Sequence, residues 1–398
     1  MNPNIKRLAR MASKKSRVVI GLMSGTSLDG LDVALCKISG YGKFTKIKLL
    51  KFDTVPYTES TKKRIQEVFA KQQVSFQRLC ELNAWIGSLH GELVLNCLKK
   101  WKIKPGRVDI IASHGQTVFH SPKVITPGAN IDSTFQAGDG DHVAVKTGII
   151  TLSDFRQKHI AAGGEGAPLA VYGDYLLFSK KGEDRIMLNI GGIANFTYLP
   201  GSTHANKVFV TDTGPGNTLI DQAVQRYKPG VYFDKDSNIA KAGNVNDALL
   251  KALLFDKFFQ LTFPKTTGPE LFNMAYVQHA IEHSETTSIS LEDLLATLTR
   301  FSAETIVNAI RTIINFKKEI KIYLSGGGAH NPLLLHGIKS LLPKVDFHPM
   351  DELGISGDAK EAVLFAILAN ESLAGSKLNF GNRAKVPSVF MGKLSFPV

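Results

Sequence analysis

A strand, a glycine-rich turn and a second strand occur twice in the sequence, and this repeat limits the chain to few folds. The first copy places apolar runs at Val18–Ile20 and Val33–Leu35 on either side of a turn at residues 21–32. The second copy runs from Ile186 to Leu199 and turns at Gly191–Gly192. Because strand-like runs alternate with helical patterns in both halves, the sequence predicts an α/β protein. Two units of one plan, products of an ancient duplication, would then face each other across a central cleft.

The other predicted elements follow the same order in the two halves. The first half adds a strand, a helical stretch and a buried strand at Ile47–Val55, Thr61–Lys100 and Val108–Ala112. The second half adds a strand at Val208–Val210, an amphipathic helix around residues 306–314 and a strand at Ile320–Leu324. Asn331 before Pro332 predicts the start of another helix.

We expect three parts in the chain. A basic, disordered leader would cover residues 1–17. A first actin-like domain would cover residues 18–155, with residues 366–398 returning to it. A second actin-like domain would cover residues 156–365.

The composition is that of an ordinary globular protein. Its 398 residues are 43% hydrophobic and 21% charged, enough for a large core. No run approaches the roughly 18 apolar residues of a membrane span, and no apolar segment of a secretory signal follows the basic N-terminus. Three cysteines without CxxC spacing, Cys36, Cys80 and Cys97, predict reduced, packed thiols and a cytoplasmic location.

A net charge of +13 is compatible with a nucleic-acid partner, so its location along the chain matters. Residues 1–17 hold six basic side chains and no acidic one. The remaining positive charge is spread over the rest of the chain without interleaved aromatic residues. We therefore predict no nucleic-acid partner and no membrane partner, since a mildly basic surface equally suits a small, phosphate-rich substrate.

The turn at residues 21–32 has the composition of a nucleotide-phosphate site. Its glycines allow the backbone to approach phosphate oxygens closely, and its hydroxyl and amide groups can donate to them. Aspartates repel phosphate but can hold Mg²⁺ or its water ligands. The predicted phosphate contacts are Gly25, Thr26, Ser27, Leu28, Asp29, Gly30 and Asp32. Asp29 and Asp32 would hold the metal.

Glycine-rich segments of the second half complete this prediction. They are Gly191–Gly192, residues 212–217 and Gly326–Gly328, each at a strand end or hairpin tip, where α/β proteins bind ligands. Asp212 follows an apolar run, and a carboxylate placed there can act as a general base or hold a metal. A capping or turn aspartate is the structural alternative, and it stays open for Asp212 and for both aspartates of the first turn.

Polar side chains that suit a sugar lie in the first half. His114 and Gln116, near the end of a predicted strand, can recognise sugar hydroxyls, although a lone histidine is more often structural. Arg156 can bind a substrate carboxylate bidentately, and an internal pair with Asp154 is the alternative.

Two other motifs are not supported by their spacing. Residues 264–268 lack the spacing of a P-loop. The histidines and cysteines lack zinc-binding spacing.

Together these motifs resemble the anhydro-N-acetylmuramic acid kinase family. The matching segments are residues 21–30, 113–117, 154–156, 163–169, 188–195, 212–217, 264–268 and 326–331. The family belongs to the sugar kinase, actin and chaperone ATPase superfamily. The resemblance therefore implies two ribonuclease-H-like domains that close over Mg-ATP.

The resemblance also implies a reaction and roles for single residues. The 1,6-anhydro bridge of 1,6-anhydro-N-acetylmuramic acid would be opened hydrolytically and O6 phosphorylated by ATP, with Asp212 as the base toward water. To the ATP contacts it adds Gly191, Gly192, Asn195, Gly214, Gly326, Gly327, Gly328 and Asn331. The implied sugar contacts are His114, Gln116, Asp154, Arg156, Gly164 and Glu361. The chain departs from the family at His159 and Glu165, where Asp and Gln are usual, and the role of Glu165 stays open.

Two other functions remain compatible with the residues alone. Another hexose or amino-sugar kinase would phosphorylate a free hydroxyl. An ATP-binding regulator would need a further partner-binding domain, for which residues 371–398 are too short. The resemblance implies instead a cytoplasmic enzyme of peptidoglycan recycling that uses ATP and Mg²⁺, and a homodimer is a family expectation.

Overall fold

The computed structural model describes residues 1–123, 126, 128–314, 319–375, 378–381 and 386–398. The chain divides into two compact units: unit 1 comprises Met1–Phe178 and Gly354–Val398, and unit 2 comprises Ser179–Leu353. The units therefore divide at residues 178/179 and 353/354, whereas the predicted boundaries were at 155/156 and 365/366. The reason is the packing of two helices, α6 (Ala170–Phe178) and α12 (Lys360–Ala374), which contact each other within unit 1.

Unit 1 is built on a seven-stranded mixed sheet. Its strands are β1 (Ser16–Ser24), β2 (Gly30–Ser39), β3 (Lys46–Pro56), β4 (Ile110–Ser121), β5 (Ser133–Ala137), β6 (Thr151–Ser153) and β12 (Lys393–Ser395). The order is β12-β6-β4-β1-β2-β3, and β5 pairs with β4. β1, β2 and β3 form an antiparallel meander, while β4 lies parallel to β1.

Unit 2 repeats this plan in five strands. They are β7 (Asp184–Ile190), β8 (Ile193–Leu199), β9 (Phe209–Pro215), β10 (Ile320–Ser325) and β11 (Asp346–Pro349), in the order β11-β10-β7-β8-β9. β7, β8 and β9 form the antiparallel meander, and β10 lies parallel to β7. The strand order β3-β2-β1-β4-β6 of unit 1 therefore corresponds to β9-β8-β7-β10-β11. This confirms the predicted pair of ribonuclease-H-like units.

The helices pack on these sheets through apolar faces. The remaining ones are α1 (Pro3–Ala12), α2 (Glu59–Gln66), α3 (Phe76–Lys100), α4 (Gly140–Thr147), α5 (Phe155–Ala161), α7 (Thr218–Tyr227), α8 (Asp247–Leu253), α9 (Met274–His283), α10 (Leu291–Arg311) and α11 (Pro332–Leu341). α10 begins after Ser290, whose side chain accepts from the Asp293 N–H, and it buries Ile306, Val307 and Ile310 against the unit 2 sheet. The helical stretch predicted at 61–100 is two helices, α2 and α3.

The first 17 residues are not a disordered leader. α1 carries the side chain of Asn2 as its N-cap and buries Met11 on unit 1. The guanidinium of Arg7 donates to the carbonyl of Gly148, and the side-chain amide of Asn4 donates to the carbonyl of Pro397. Arg17, the second residue of β1, is buried. The leader is ordered because its apolar face and its polar caps find partners in the same unit.

Two smaller expectations also need correction. The segment 113–117 lies inside β4 rather than after a strand, because β4 continues to Ser121 and pairs there with β5. Cys36 and Cys97 are buried as predicted, but Cys80 is exposed. Among the described residues, no helix is both long enough and apolar enough to cross a membrane.

Candidate active site

The turn between β1 and β2 is fixed by a buried leucine. Leu28 has a positive φ of 56° and only 6% of the residue is exposed, so it inserts into the core of unit 1. Its neighbours Thr26, Ser27 and Asp29 are exposed. The predicted phosphate contacts therefore present polar groups to solvent on a turn that Leu28 holds in place. Any contact of Leu28 itself would come from its backbone.

A chain of buried hydrogen bonds supports the same turn from below. The Ser24 hydroxyl donates to Oε1 of Gln116 at 2.6 Å, and the Gln116 amide donates to the Gly25 carbonyl at 2.8 Å. The Ser24 hydroxyl also lies 2.8 Å from the hydroxyl of Tyr57, which is 2.7 Å from Nε2 of His90. Burial lowers the pKa of His90 to about 3, so this ring is neutral. Gln116 therefore acts on the candidate site indirectly, by holding the turn in place.

Asp32 on β2 lies within a group of acidic side chains. Its Oδ1 accepts from the Thr54 hydroxyl at 2.6 Å. Burial raises the pKa of Asp32; the hydrogen bond from Thr54 lowers it, and the charges of Asp29, Glu361 and Asp358 raise it further. A cation would relieve this repulsion, so the carboxylates fit Mg²⁺. Within the described part of the chain no three His, Cys, Asp or Glu side chains form a set of metal ligands, so water and phosphate would have to supply most of them.

His114 and Arg156 form a buried pair. Nε of Arg156 donates to Nε2 of His114 at 2.8 Å, and Nη1 donates to the Gly166 carbonyl at 2.8 Å. Burial, and then the charge of Arg156, hold the pKa of His114 well below its usual value. The neutral ring donates from Nδ1 to the Gly115 carbonyl at 2.9 Å and accepts at Nε2. His114 therefore orients the guanidinium, and Nη2 of Arg156 has no acceptor among the described residues.

The other predicted sugar contacts have separate surroundings. Asp154, with a positive φ of 59°, pairs with Lys393 at 2.8 Å, so the alternative of an Asp154–Arg156 pair is wrong. Gly164 packs against the ring of His159, where a side chain would overlap it. The His159 ring in turn accepts the N–H of Gly166 at Nδ1, 3.0 Å away. Glu361 is exposed in the first turn of α12.

In unit 2 the glycine segments pack backbone against backbone. The N–H of Gly216 donates to the carbonyl of Gly192 at 2.8 Å, and a Cβ at Gly216 would overlap the carbonyl oxygen of Gly191. Gly326 has a φ of +84°, and a Cβ there would lie 2.7 Å from the Ile190 carbonyl oxygen. The structure thus brings together the turn after β7, the start of α7 and the loop after β10. These three segments contain most of the ATP contacts predicted in the second half.

The start of α7 has the features of an anion site. Its N-cap, Asn217, makes no side-chain cap, and a Cβ on Gly327 would lie 3.8 Å from the Asn217 amide nitrogen. A helix N-terminus at a glycine loop favours phosphate through its dipole. The N–H groups of Asn217 and Thr218 already donate to the carbonyls of Gly191 and Gly192, at 2.9 and 3.1 Å. Asn331 is different, because its side chain already accepts from Leu334 N–H at 2.9 Å and Ser237 hydroxyl at 2.6 Å. It caps α11, as the sequence predicted for a helix start.

Asp212 lies within β9 rather than after a strand, opposite Asn195 of β8. It is half-buried. Its N–H donates to the Lys265 carbonyl at 3.0 Å, and its Oδ2 accepts from the Thr267 N–H at 2.8 Å. The carboxylate is therefore oriented by the backbone of a neighbouring loop and caps no helix. Gly214, two residues on, packs closely against Thr305 of α10.

Sequence reasoning missed the residues that hold these groups. Ser24 stood inside the first turn motif, and its hydroxyl was the available signal. Lys265 and Thr267 lie inside the segment 264–268, which lacks P-loop spacing; its place among the family-matching segments was the available signal. Tyr57 and His90 gave no signal, because only the tertiary fold brings them beneath the turn.

Known proteins match the chain over almost its whole length. The family model for anhydro-N-acetylmuramic acid kinase matches residues 17–385. A protein of that name from Pseudoalteromonas atlantica is 55% identical over 100% of both chains. Another of that name, from Caldanaerobacter subterraneus subsp. tengcongensis, is 42% identical over 98% of this chain and 99% of its own. Among solved structures, the activator of the 2-hydroxyisocaproyl-CoA dehydratase from Clostridium difficile with bound ADPNP aligns at a TM-score of 0.40 and 10% identity, over 89% of this chain and 95% of that chain.

Proposed function

The chain belongs to the anhydro-N-acetylmuramic acid kinase family, and we propose that it carries out that family's reaction with Asp212 as the general base. The substrate is 1,6-anhydro-N-acetylmuramic acid, and the phosphoryl donor is ATP. The products are N-acetylmuramic acid 6-phosphate and ADP. This is a step in the recycling of cell-wall peptidoglycan.

The backbone-held carboxylate of Asp212 carries the proposal. A base must keep a fixed direction toward the proton that it removes, and the Thr267 N–H at 2.8 Å from Oδ2 supplies that direction. Asp212 takes a proton from water as the water oxygen bonds to the anomeric carbon. The bond from that carbon to O6 breaks, and O6 bonds to the γ-phosphorus of ATP. The bond from that phosphorus to the β,γ-bridging oxygen breaks, and ADP leaves.

Backbone groups of unit 2 and polar groups of unit 1 suit the phosphates. The glycines let the turn after β7, the start of α7 and the loop after β10 approach one another closely, and the dipole at the start of α7 favours negative charge. The exposed turn of unit 1 offers Thr26 and Ser27. When bound, Mg²⁺ would neutralise phosphate charge, and Asp29 and Asp32 are the residues that would hold it, directly or through water.

The sugar side rests on the His114–Arg156 pair. Because Nε and Nη1 of Arg156 are occupied by the protein, Nη2 is the part of the guanidinium left for substrate. The lactyl carboxylate of an N-acetylmuramic acid is the complementary group. Glu361 adds an exposed acceptor for hydroxyl groups in the same unit. Gln116 contributes by holding the turn.

Asp212→Asn tests the base directly. We expect kcat to fall by about 10²–10⁴-fold, because the amide keeps the shape but takes no proton. Folding should be retained, as judged by circular dichroism and the melting temperature. Asp236→Asn, an exposed change of the same kind in unit 2, is the matched control and should keep full turnover. Near-normal turnover of Asp212→Asn would remove Asp212 from the mechanism.

A product assay separates this reaction from that of an ordinary amino-sugar kinase. The enzyme is given either 1,6-anhydro-N-acetylmuramic acid or N-acetylmuramic acid with ATP, and the phosphorylated product is identified by mass spectrometry. We expect rapid turnover of the anhydro sugar. Preference for the free sugar would favour the ordinary kinase. A homodimer and a cytoplasmic location rest on the family resemblance and stay predictions.

A further inference from the structure

The loop at residues 263–268 covers the outer edge of β9, the last strand of the unit 2 sheet. The N–H of Lys265 donates to the Thr211 hydroxyl at 3.0 Å, and the Lys265 carbonyl accepts the N–H of Asp212 at 3.0 Å. Two residues later, the Thr267 N–H donates to the Asp212 carboxylate at 2.8 Å. The loop therefore contacts both the backbone and the side chain of Asp212, and its Thr267 N–H helps to orient the carboxylate.

The loop contacts the Asp212 carboxylate through a backbone N–H and not through a side chain. The hydroxyl of Thr267 is buried and has no hydrogen-bond partner among the described residues. The Thr267 side chain therefore adds no hydrogen bond to those that join the loop to β9. Lys265 is the residue whose side chain points away from β9 into the unit.

The Lys265 ammonium is held in a cage of three phenylalanines, Phe258, Phe259 and Phe263. Only 8% of Lys265 is exposed. Its Nζ lies 4.3 Å, 5.7 Å and 5.5 Å from the centroids of these three rings and donates to the Phe258 carbonyl at 2.9 Å. Cation–π contacts of this kind are stronger where water is excluded. Burial lowers the pKa of Lys265, which reflects the cost of removing an ammonium from water.

An apolar side chain would fill the cage without that desolvation cost, and buried charges often stabilise a fold less than apolar replacements do. The ammonium instead fixes the position of the Lys265 side chain, because one hydrogen bond and three ring faces define a single position for Nζ. We propose that Lys265 is a positioning residue for the general base: its caged ammonium fixes the loop whose Thr267 N–H orients Asp212. This rests on the proposed role of Asp212.

Lys265→Met, which removes the charge and keeps the length, tests the proposal. We expect kcat with the anhydro sugar to fall about 10–100-fold through misplacement of the base. The KM for ATP should change by no more than about twofold, since the lost interaction acts on the chemical step. Lys241→Met, an exposed lysine in the same unit, is the matched control and should behave as the parent protein.

The double variant Lys265→Met/Asp212→Asn separates this inference from the proposal beneath it. If Lys265 acts through Asp212, the lysine change should cost little further kcat once the base is gone. Equal losses of kcat in both backgrounds, or an unchanged kcat in Lys265→Met alone, would overturn the role of Lys265 and leave Asp212 intact. Normal turnover of Asp212→Asn would overturn the base itself. If Lys265→Met does not fold, Phe263→Leu opens the cage instead: a several-fold lower kcat supports the inference, and an unchanged kcat refutes it.

Discussion

The two units share one strand plan, but their candidate carboxylates lie on different strands of the meander. In unit 1 the carboxylate is on the second strand, and in unit 2 it is on the third. The third residue of β2 is Asp32, and it lies opposite Thr54 of β3. The third residue of β8 is Asn195, and it lies opposite Asp212 of β9. An acid beside the turn suits a metal and phosphates, whereas an acid on the outer strand suits proton removal. Under the proposed function, two units of one strand plan would thus divide two chemical tasks.

The turns of the two units also differ. The turn of unit 1 is open, since the nearest atom to a Cβ at Gly25 would be a methionine methyl carbon 3.8 Å away. It presents hydroxyl groups and acids, and Leu28 and Gln116 fix it from below. The turn of unit 2 is closed, because Gly216 and Gly326 bring other backbone segments against it. Unit 1 therefore presents side chains at its turn, whereas the turn of unit 2 is packed against other backbone segments.

Alanine substitutions at these glycines should destabilise unit 2 strongly and unit 1 very little. Gly326→Ala combines a positive φ with a Cβ 2.7 Å from a backbone oxygen, so we expect a loss of roughly 3 kcal/mol or more in unfolding free energy, with loss of ATP binding. Gly25→Ala should cost less than about 0.5 kcal/mol. Chemical denaturation and calorimetric titration with ATP measure both effects.

Gly230→Ala is the control for backbone strain alone. Its φ is +87° and nothing lies within 4 Å of a Cβ there, so the expected cost is about 1 kcal/mol with ATP binding unchanged. If Gly326→Ala behaves like Gly230→Ala, the glycine segments of unit 2 are not close-packed as described.

Acid should weaken unit 1 before unit 2. Unit 1 buries His90, His114 and His159, and burial lowers the pKa of His90 to about 3 and of His159 to about 4, from an ordinary 6.5. None of the six histidines of unit 2 is buried. A lowered pKa gives stability that is present above pH 6.5 and is lost as the pH falls below it, by up to about 1.4 kcal/mol per pH unit for each group.

Hydrogen exchange at pH 7 and pH 5 measures this difference. Protection of the core strands of unit 1 should fall, whereas that of unit 2 should change little. His90→Gln should reduce the pH dependence of the stability of unit 1 by the contribution of one histidine. An equal loss of protection in the two units would contradict the assignment of neutral, buried histidines to unit 1.

Gln116→Leu should give a smaller effect, confined to the open turn of unit 1. It removes the amide donor to the Gly25 carbonyl and one of the partners of the Ser24 hydroxyl, so we expect the Kd for ATP to rise roughly 10-fold. Gln136→Leu, a second buried glutamine in the same sheet, should lower stability without changing that Kd. Equal Kd changes in the two variants would mean that Gln116 does not act through the turn.

The sequence was sufficient to predict the elements whose patterns are local. The strands of both meanders, the glycine turns and the helix start at Asn331 follow from apolar runs, small residues and capping residues. The repeat of the plan in two halves followed from the order of these elements. The role of Asp212 as a base came from the family resemblance and stays a prediction.

What the sequence could not predict depends on contacts between distant segments. The leader is ordered because Asn4 meets Pro397, which no local pattern indicates. Asp154 pairs with Lys393, and Gln116 turns inward toward Ser24, for the same reason. The division at residues 178/179 depends on how α6 and α12 pack together, and helix packing is not visible in a single periodic pattern.

The proposed function assigns proton removal to Asp212 and the metal and phosphates to Asp32. Its most direct test compares Asp212→Asn with Asp32→Asn in two measurements: Mg²⁺-dependent ATP affinity and the single-turnover rate of phosphoryl transfer to the anhydro sugar. We expect Asp212→Asn to bind ATP as the parent protein does while its transfer rate falls by about 10²–10⁴-fold. We expect Asp32→Asn to weaken Mg²⁺-dependent ATP binding and to transfer faster than Asp212→Asn once saturated. A near-normal transfer rate in Asp212→Asn, or the same pattern of losses in both variants, would contradict the account.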